Sequence, residues 1–435
     1  MKPEITNGRA DHYVLNEQLR IGLFIFIDLP WFQHPFTLNS FKIKSEEQLA
    51  ELRALKQPRF RYDPDRSDGL VAALPSSQAP TVEVAAVPPL AVEDDPALAD
   101  KRERMAKLQA RREKVGEIEK AFAKAAAVMR NLNKNLLSRP KETIEEMSGL
   151  VDQMVLAFLE HPEVTLHVMG EKCGGEDAYY HGLNTSILCM MLAKGLNFTP
   201  DQARQLGAGA LLHDIGLMDI PDRVLKKPPE EYTKPERDLR MMHVEYGVKI
   251  GKQLGLPPEV LAVIAQHHEL ADGSGYPRGL KNEQMTPLAR VLAVVNAYDN
   301  LCNPLDFQHS MTPHEALSFL FAQRRGKFDG AVLQLMIRNL GVYPPGSIVR
   351  LSNEAIAIVV SVNPQKPLRP WVLLYDPAVP KEEAILLDLE VEQELNITKS
   401  LRPASLPPAV FAYLSPRKRV TYFFDGGSAK SGAKA

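Results

Sequence analysis

Apolar positions along the chain change their spacing three times, and each change predicts a different kind of structure. Between residues 10 and 75 apolar and polar residues alternate. Leu19 to Asp28 predicts a strand or hairpin and Phe41 to Lys44 another strand. Ser45 to Leu55 opens with Ser-Glu-Glu and keeps leucines at helical spacing, which predicts a short helix. Residues 1–75 are expected to form a small mixed α/β N-terminal domain. Residues 76–97 have no period and are rich in Pro, Ala and acids, the signature of an extended linker.

Helical spacing returns at Pro96, and residues 98–140 predict a connecting helix. Its apolar positions Val115, Ile118, Phe122, Ala125, Met129, Leu132 and Leu136 make a seven-residue repeat. That stripe at 115–136 suits the seam of a homodimer or packing on the chain's own domain, with equal weight. Residues 141–343 keep helical period in Ile144–Leu159, Leu183–Leu196, Pro200–Leu212, Pro258–His268 and Pro287–Leu301. No strand pattern interrupts them, so a helical bundle is expected. After Pro344-Pro345-Gly346 the alternation is strand-like, and residues 344–400 predict a small β module. Residues 401–435 read as a C-terminal tail, disordered beyond Asp425. The fold class is mainly α.

Composition narrows the function classes. The 435 residues carry a formal net charge of −2, so no global field favours nucleic acid or an anionic membrane. The cluster Arg417-Lys418-Arg419 reads as part of a solvated tail. Cys173, Cys189 and Cys302 show no CxxC spacing and no even disulfide framework, which fits a reducing compartment. The first residues lack the basic and apolar regions of a signal peptide, and the longest apolar runs are too short to span a membrane. A cytoplasmic location is expected.

The chemistry is concentrated in histidines. Five of the eleven (His181, His213, His243, His267 and His268) fall in the helical region. His213 and Asp214 end a run of small and apolar residues suited to burial. A buried His-Asp pair is costly unless both groups are satisfied, and a divalent metal satisfies both. An Asp acting as helix cap beside a hydrogen-bonded core histidine is the bland alternative, with even odds when the pair is taken alone. Gly216 would let this helix stop. His267-His268-Glu269 close an apolar helix, and Asp272-Gly273-Ser274-Gly275-Tyr276-Pro277-Arg278-Gly279 follow. Those glycines permit a tight loop with positive φ, able to approach a planar or phosphorylated ligand. His181 follows Asp177 by four residues, so the two share one face if that stretch is helical. A single unpaired histidine is an ordinary polar residue about two times in three; the argument rests on the ordered set.

That set resembles the HD-GYP family, a branch of the HD phosphohydrolase superfamily that hydrolyses cyclic di-GMP. The resemblance covers roughly residues 140–340 and rests on HDIG, a lone His about thirty residues on, and HHExxDGSGYPRGL. Residues 220–228 and Gly326-Lys327-Phe328-Asp329 also look like the family. Residues 10–75 resemble the small domain that often precedes it. The resemblance implies an HD-type helical bundle. It makes His181, His213, Asp214, His243, His267 and His268 metal ligands, with Asp214 bridging. It implies two divalent ions, three if Asp177 joins, and iron or manganese before zinc. Gly275, Tyr276, Pro277 and Arg278 would face the substrate. His213 and Asp214 would lie at the centre of a metal-assisted phosphodiester hydrolysis that needs no protein nucleophile.

Three positions depart from the family pattern. Leu217 stands where the family has lysine, Asn296 where it has a terminal metal-ligating Asp, and Asn303 where it has arginine. Asp299, one turn after Asn296, matches a second family acid. Two functions follow: a cyclic di-GMP phosphodiesterase, or a non-catalytic receptor or adaptor that binds nucleotide or a signalling domain through the GYP loop. The departures favour the second, and the retained ligands favour the first.

Overall fold

The computed structural model describes residues 12–29, 34, 36, 40–55, 57–68, 113, 117–132, 134–160, 166–168, 177–304, 309–362, 366–377, 379, 381, 384–414 and 422–424. The expected linker at 76–97, most of the first half of the expected connecting helix, and the residues beyond Asp425 lie outside them. The chain divides into two compact units, 1–111 with 376–385, and 112–375 with 386–435.

In the first unit, strands β1 (His12–Leu15), β2 (Phe24–Phe26), β3 (Ser40–Lys42) and β4 (Arg59–Asp63) form an antiparallel sheet in the order β1-β4-β2-β3. Helix α1 (Glu46–Ala54) starts at Ser45, whose side chain accepts from the Gln48 amide and satisfies an otherwise orphaned donor. Leu49 and Leu52 of α1 join Leu23, Ile25, Phe60 and Tyr62 in one core.

The second unit is mostly helix. Its helices are α2 (117–132), α3 (Pro140–Val155), α4 (Asp177–Gly195), α5 (Pro200–Leu212), α6 (Asp222–Leu225), α7 (Lys234–Met241), α8 (His243–Gln253), α9 (Pro258–Gln266), α10 (Pro287–Cys302), α11 (Pro313–Gln323), α12 (Gly330–Leu340) and α13 (Pro408–Leu414). Thr-Pro pairs punctuate three of the starts. Thr199, Thr286 and Thr312 cap α5, α10 and α11 through their hydroxyls, and the following proline fills the first helical position.

Two expectations change here. Of the two readings of the 115–136 stripe, the burial supports packing on the chain's own domain over a homodimer seam: Ile118, Phe122, Ala125, Met129, Leu132 and Leu136 are at most 4% exposed and belong to the bundle's own core. Phe122 stacks on Tyr180 of α4 with centroids 5.6 Å apart. The bundle region is also interrupted by a strand, β5 (Leu166–Val168). Its antiparallel partner is β11 (Tyr422–Phe424), in the segment read as a tail. Phe423 packs edge-on against Phe122, and Tyr422 is fully buried.

Strands β6 (Ile348–Leu351), β7 (Ile356–Ser361), β8 (Trp371–Leu374), β9 (Leu386–Asp388) and β10 (Ile397–Leu401) form the antiparallel sheet β10-β6-β7-β8-β9. Burial alternates along β7, as its sequence predicts. Val410 and Leu414 of α13 pack on Ile348. Among the described residues no helix is long and apolar enough to cross a membrane.

Candidate metal centre

Helix α5 is rich in small residues, and its last turn delivers His213 into the core at 0% exposure. Asp214 follows, and then a 3-10 turn over Ile215–Asp219. Gly216 is required by this turn's close approach to α8. A Cβ on it would fall 1.9 Å from the His243 carbonyl oxygen and 2.4 Å from the Gly247 nitrogen. The glycine therefore brings His243, first residue of α8, against Asp214, and does more than stop a helix.

The histidine rings are fixed by what their Nδ1 atoms touch. His213 Nδ1 lies 2.8 Å from the Ala210 carbonyl, His243 Nδ1 2.6 Å from the Arg240 carbonyl and His267 Nδ1 2.7 Å from the Ile264 carbonyl. A carbonyl only accepts, so each Nδ1 carries a proton and each ring turns its Nε2 inward. His181 Nδ1 donates to Asp299 Oδ2 at 2.6 Å, which turns its Nε2 toward the same centre. These atoms meet: His181 and His213 approach Nε2 to Nε2 at 3.0 Å, and His243 and His267 at 3.2 Å. Lone pairs that face each other this closely need a cation between them, a proton or a metal.

Asp214 lies at the centre with its two oxygens facing different histidines. Oδ1 is 3.4 Å from His243 Nε2 and 3.7 Å from His267 Nε2. Oδ2 is 3.5 Å from His213 Nε2 and 3.8 Å from His181 Nε2. Two ligand groups follow, one of Asp214, His243, His267 and His268, the other of His181, His213 and Asp214. The donor set of imidazoles with a shared carboxylate fits two divalent cations of the borderline transition series.

Electrostatics agree with that fit. Burial tends to raise the Asp214 carboxyl, but His213, His243 and His181 outweigh it and hold it well below the usual carboxylate range. Burial lowers His213 and His267, and lowers His268 to about 3 with help from neighbouring histidines and Arg240. These rings are therefore neutral at pH 7, the form in which imidazole can take up a metal. Burial also works to lower His181, yet the hydrogen bond and charge of Asp299, with Asp214 and Asn296, leave it raised.

The loop after His268 is held from below by Glu269. This carboxylate is fully buried and accepts from the Arg278 and Leu280 amides, both at 2.7 Å. Gly273 and Gly279 have positive φ, as the glycine-rich sequence predicts. Gly275 serves a different end. A Cβ there would fall within 2.5 Å of the backbone at His268, Glu269 and Leu270, so the glycine lets the loop fold back onto the histidines. Tyr276 stacks on His268 with centroids 4.5 Å apart, which places the loop directly over one ligand group. Pro277 and Arg278 are exposed beyond it.

The remaining predicted residues fall into place unevenly. Asn296 is buried with a side-chain hydrogen bond to His181, and its Oδ1 accepts from Asn300 Nδ2 at 2.7 Å. Asn303 donates to Asp299 Oδ1 at 2.9 Å. Leu217 packs in an apolar cluster with Ile220, Val224 and Tyr232. Asp177 begins α4 one turn before His181, and its side chain lies outside the described residues. Three residues carry roles the sequence reading did not assign: Asp299, which orients His181; Asn184, which donates to Asp299; and Glu269. Arg240 is a fourth. It ends α7 half-buried beside His268 and Tyr276, and among the described residues no carboxylate pairs with it.

Comparison with known proteins agrees with this geometry. The HD domain family matches residues 96–332, more than half of the chain. A cyclic di-GMP phosphodiesterase of Pseudomonas aeruginosa is 31% identical over 365 residues, covering 82% of this chain and 83% of that protein. The chain belongs to the HD-GYP branch of the HD domain family. Residues 14–147 of this HD-GYP chain match a domain of unknown function (DUF3391), and residues 348–408 a KOW domain associated with HD domains. The response regulator RpfG of Xanthomonas campestris, a cyclic di-GMP phosphodiesterase, is 29% identical over 46% of the chain and 55% of its own length. A 3'3'-cGAMP-specific phosphodiesterase of Vibrio cholerae is 27% identical over 51% of the chain and 49% of its own length. The chain thus spans about half the length of these last two relatives.

Proposed function

We propose that this HD-GYP chain is a metal-dependent phosphodiesterase of cyclic dinucleotides, with cyclic di-GMP as its substrate. The observation that carries the reading is the pair of Asp214 oxygens, each turned to its own set of inward-facing Nε2 atoms. His243, His267 and His268 would hold one divalent ion and His181, His213 and Asn296 the other, with Asp214 between; Asp177 is the candidate for a third. Iron or manganese suits sites that expand beyond four ligands better than zinc does. Bound there, the ions supply Lewis acidity for the phosphoryl oxygens and make water nucleophilic at neutral pH.

The chain's own residues bind and orient. Tyr276, stacked on His268, offers an aromatic face at the edge of the site, where a purine can lie. Gly275, Pro277 and Arg278 complete that wall. Arg240, half-buried beside His268 and Tyr276, would offer a guanidinium that suits a phosphate. The choice of cyclic di-GMP over cGAMP rests on the longer-covering relative from Pseudomonas aeruginosa.

Incubation of the purified chain with cyclic di-GMP and Mn²⁺ or Fe²⁺, followed by chromatography, tests the reading. Linear dinucleotide or GMP is expected. A parallel arm with 3'3'-cGAMP tests the substrate. The alternative is a receptor or adaptor that binds nucleotide or a signalling domain through the exposed loop at 277–279. Asn296 favours it, because that substitution removes an anionic ligand. Nucleotide binding without product at high protein concentration would establish that alternative.

A further inference from the structure

The His181 side of the centre connects to the far end of the chain. Asp299 Oδ2 accepts from His181 Nδ1. Asp299 Oδ1 accepts from Asn184 Nδ2. Asn184 Oδ1 in turn accepts from the backbone N–H of Tyr422 at 2.7 Å, a contact across 238 residues of sequence. The direction of each step is forced. A backbone N–H can only donate, so the side-chain atom of Asn184 that meets Tyr422 is its oxygen. The other end of that amide is then NH₂, which can only donate, and its target is the carboxylate. Asp299 is fully buried and so is Asn184, so neither has water to substitute for a lost partner.

Tyr422 is itself locked. It is 0% exposed, its hydroxyl lies 2.9 Å from that of Tyr298 on α10, and its strand β11 pairs with β5. Phe423 beside it packs on Phe122. Main-chain order at residues 422–424 therefore sets the amide of Asn184, the amide together with Asn303 sets Asp299, and Asp299 sets the aim of His181.

We propose that strand β11 and Asn184 are positioning elements for the His181 half of the metal centre, so that docking of the C-terminal strand controls occupancy of one ion position and not the other. Among the described residues the His243, His267 and His268 group has no link to β11: His243 and His267 are oriented by carbonyls of their own helical turns. This inference rests on the metal-centre reading above, and the experiment separates the two.

Three variants of the full chain test it: Asn184→Leu, which keeps volume and removes both hydrogen bonds; Tyr422→Pro, which removes the N–H; and Tyr422→Phe, which keeps the N–H and the packing. The probe is Mn²⁺ titrated calorimetrically into metal-stripped protein. In Asn184→Leu and Tyr422→Pro one Mn²⁺ per chain is expected to weaken about 10- to 100-fold, the usual effect of losing an outer hydrogen bond to a ligand. The other Mn²⁺ should bind as in the unaltered chain, which also certifies folding. Tyr422→Phe should retain both. A second readout needs no metal: at alkaline pH, where the ring is neutral, ¹⁵N spectra of His181 should show a Nδ1–H tautomer in the unaltered chain and a mixture in Asn184→Leu. Unchanged affinity at both positions with an unchanged tautomer in Asn184→Leu would overturn the inference, as would equal weakening of both positions. An unaltered chain that binds no Mn²⁺, yet shows the tautomer shift, would overturn the metal-centre reading and keep the coupling to β11.

Discussion

The two halves of the histidine cluster are built by different means. In the half made of His243, His267 and His268, two rings take their orientation from main chain: the carbonyls of Arg240 and Ile264 lie three residues before their histidines, while Glu269 ties the loop whose Tyr276 stacks on His268. Once the helices form, those rings have their aim. In the other half His213 is held likewise by Ala210, but His181 depends on Asp299, and Asp299 on side chains from elsewhere. A ligand oriented by local backbone survives many distant changes. A ligand oriented through a side-chain network depends on every member of it.

The largest break is expected where the halves meet. Asp214→Ala removes the carboxylate facing all four Nε2 atoms, so both ion positions should empty and turnover should fall to background. Elemental analysis beside the product assay checks this, and a variant that keeps two ions per chain would remove Asp214 from the bridging role. Asp299→Ala should break one half only. A loss of about 10- to 100-fold in activity or metal affinity is the ordinary cost of such a partner, here confined to one ion per chain.

How far the sequence discloses this site differs between the halves in the same way. His213-Asp214 and His267-His268 are legible because these candidate ligands sit in short motifs, where turn carbonyls orient His213 and His267. Asp299 also stands in plain view, but its task is set by a contact 118 residues away, which no local pattern carries. Asn184 is a polar residue within the apolar run of α4, and Glu269 reads as a mere companion of its histidines until its two amide partners are seen. In the fold, helix period gave the bundle but not whose surface the α2 stripe covers, since a heptad looks alike in a dimer seam and a core. Strands β5 and β11 have three residues each, too few for alternation to register.

Glu269→Gln sharpens the comparison on the main-chain side. The carboxylate accepts from two amides, and an amide side chain offers one oxygen and turns its NH₂ toward the other N–H. Loss of one charge-assisted bond costs about 1.5–3 kcal/mol. Denaturant unfolding should show that loss. KM should rise more than kcat falls, because the loop carrying Tyr276 shifts while the metal ligands stay. Equal falls in kcat and kcat/KM would instead give Glu269 a part in the transition state. Asn296→Asp sharpens the other side. It returns a carboxylate beside His181, and Mn²⁺ occupancy of that half should rise while the opposite half is unchanged. Constant occupancy would remove residue 296 from the ligand set.

The smallest effect expected is a separation in pH. A metal competes with protons for its ligands, so a ring with a raised pKa gives up its metal first as pH falls. His181 is raised above the ordinary 6.5 by Asp299 and Asp214 despite burial. His267 is lowered, and His268 lies at about 3, through burial and neighbouring histidines. Acidification from pH 8 should therefore release one ion per chain first, from the His181 half, and the second at distinctly lower pH. The sign follows from Asp299: the carboxylate that aims His181 also favours its protonated form, so the same contact that orders this half makes it the more acid-sensitive. Asp299→Asn keeps a hydrogen-bond acceptor but removes the charge, and should draw the first release toward the second. Dialysis across pH 5–8 with metal analysis reads both. A single release at one pH in the unaltered chain would mean that the two halves are bound as one unit, and that their different construction has no consequence for the ions they hold.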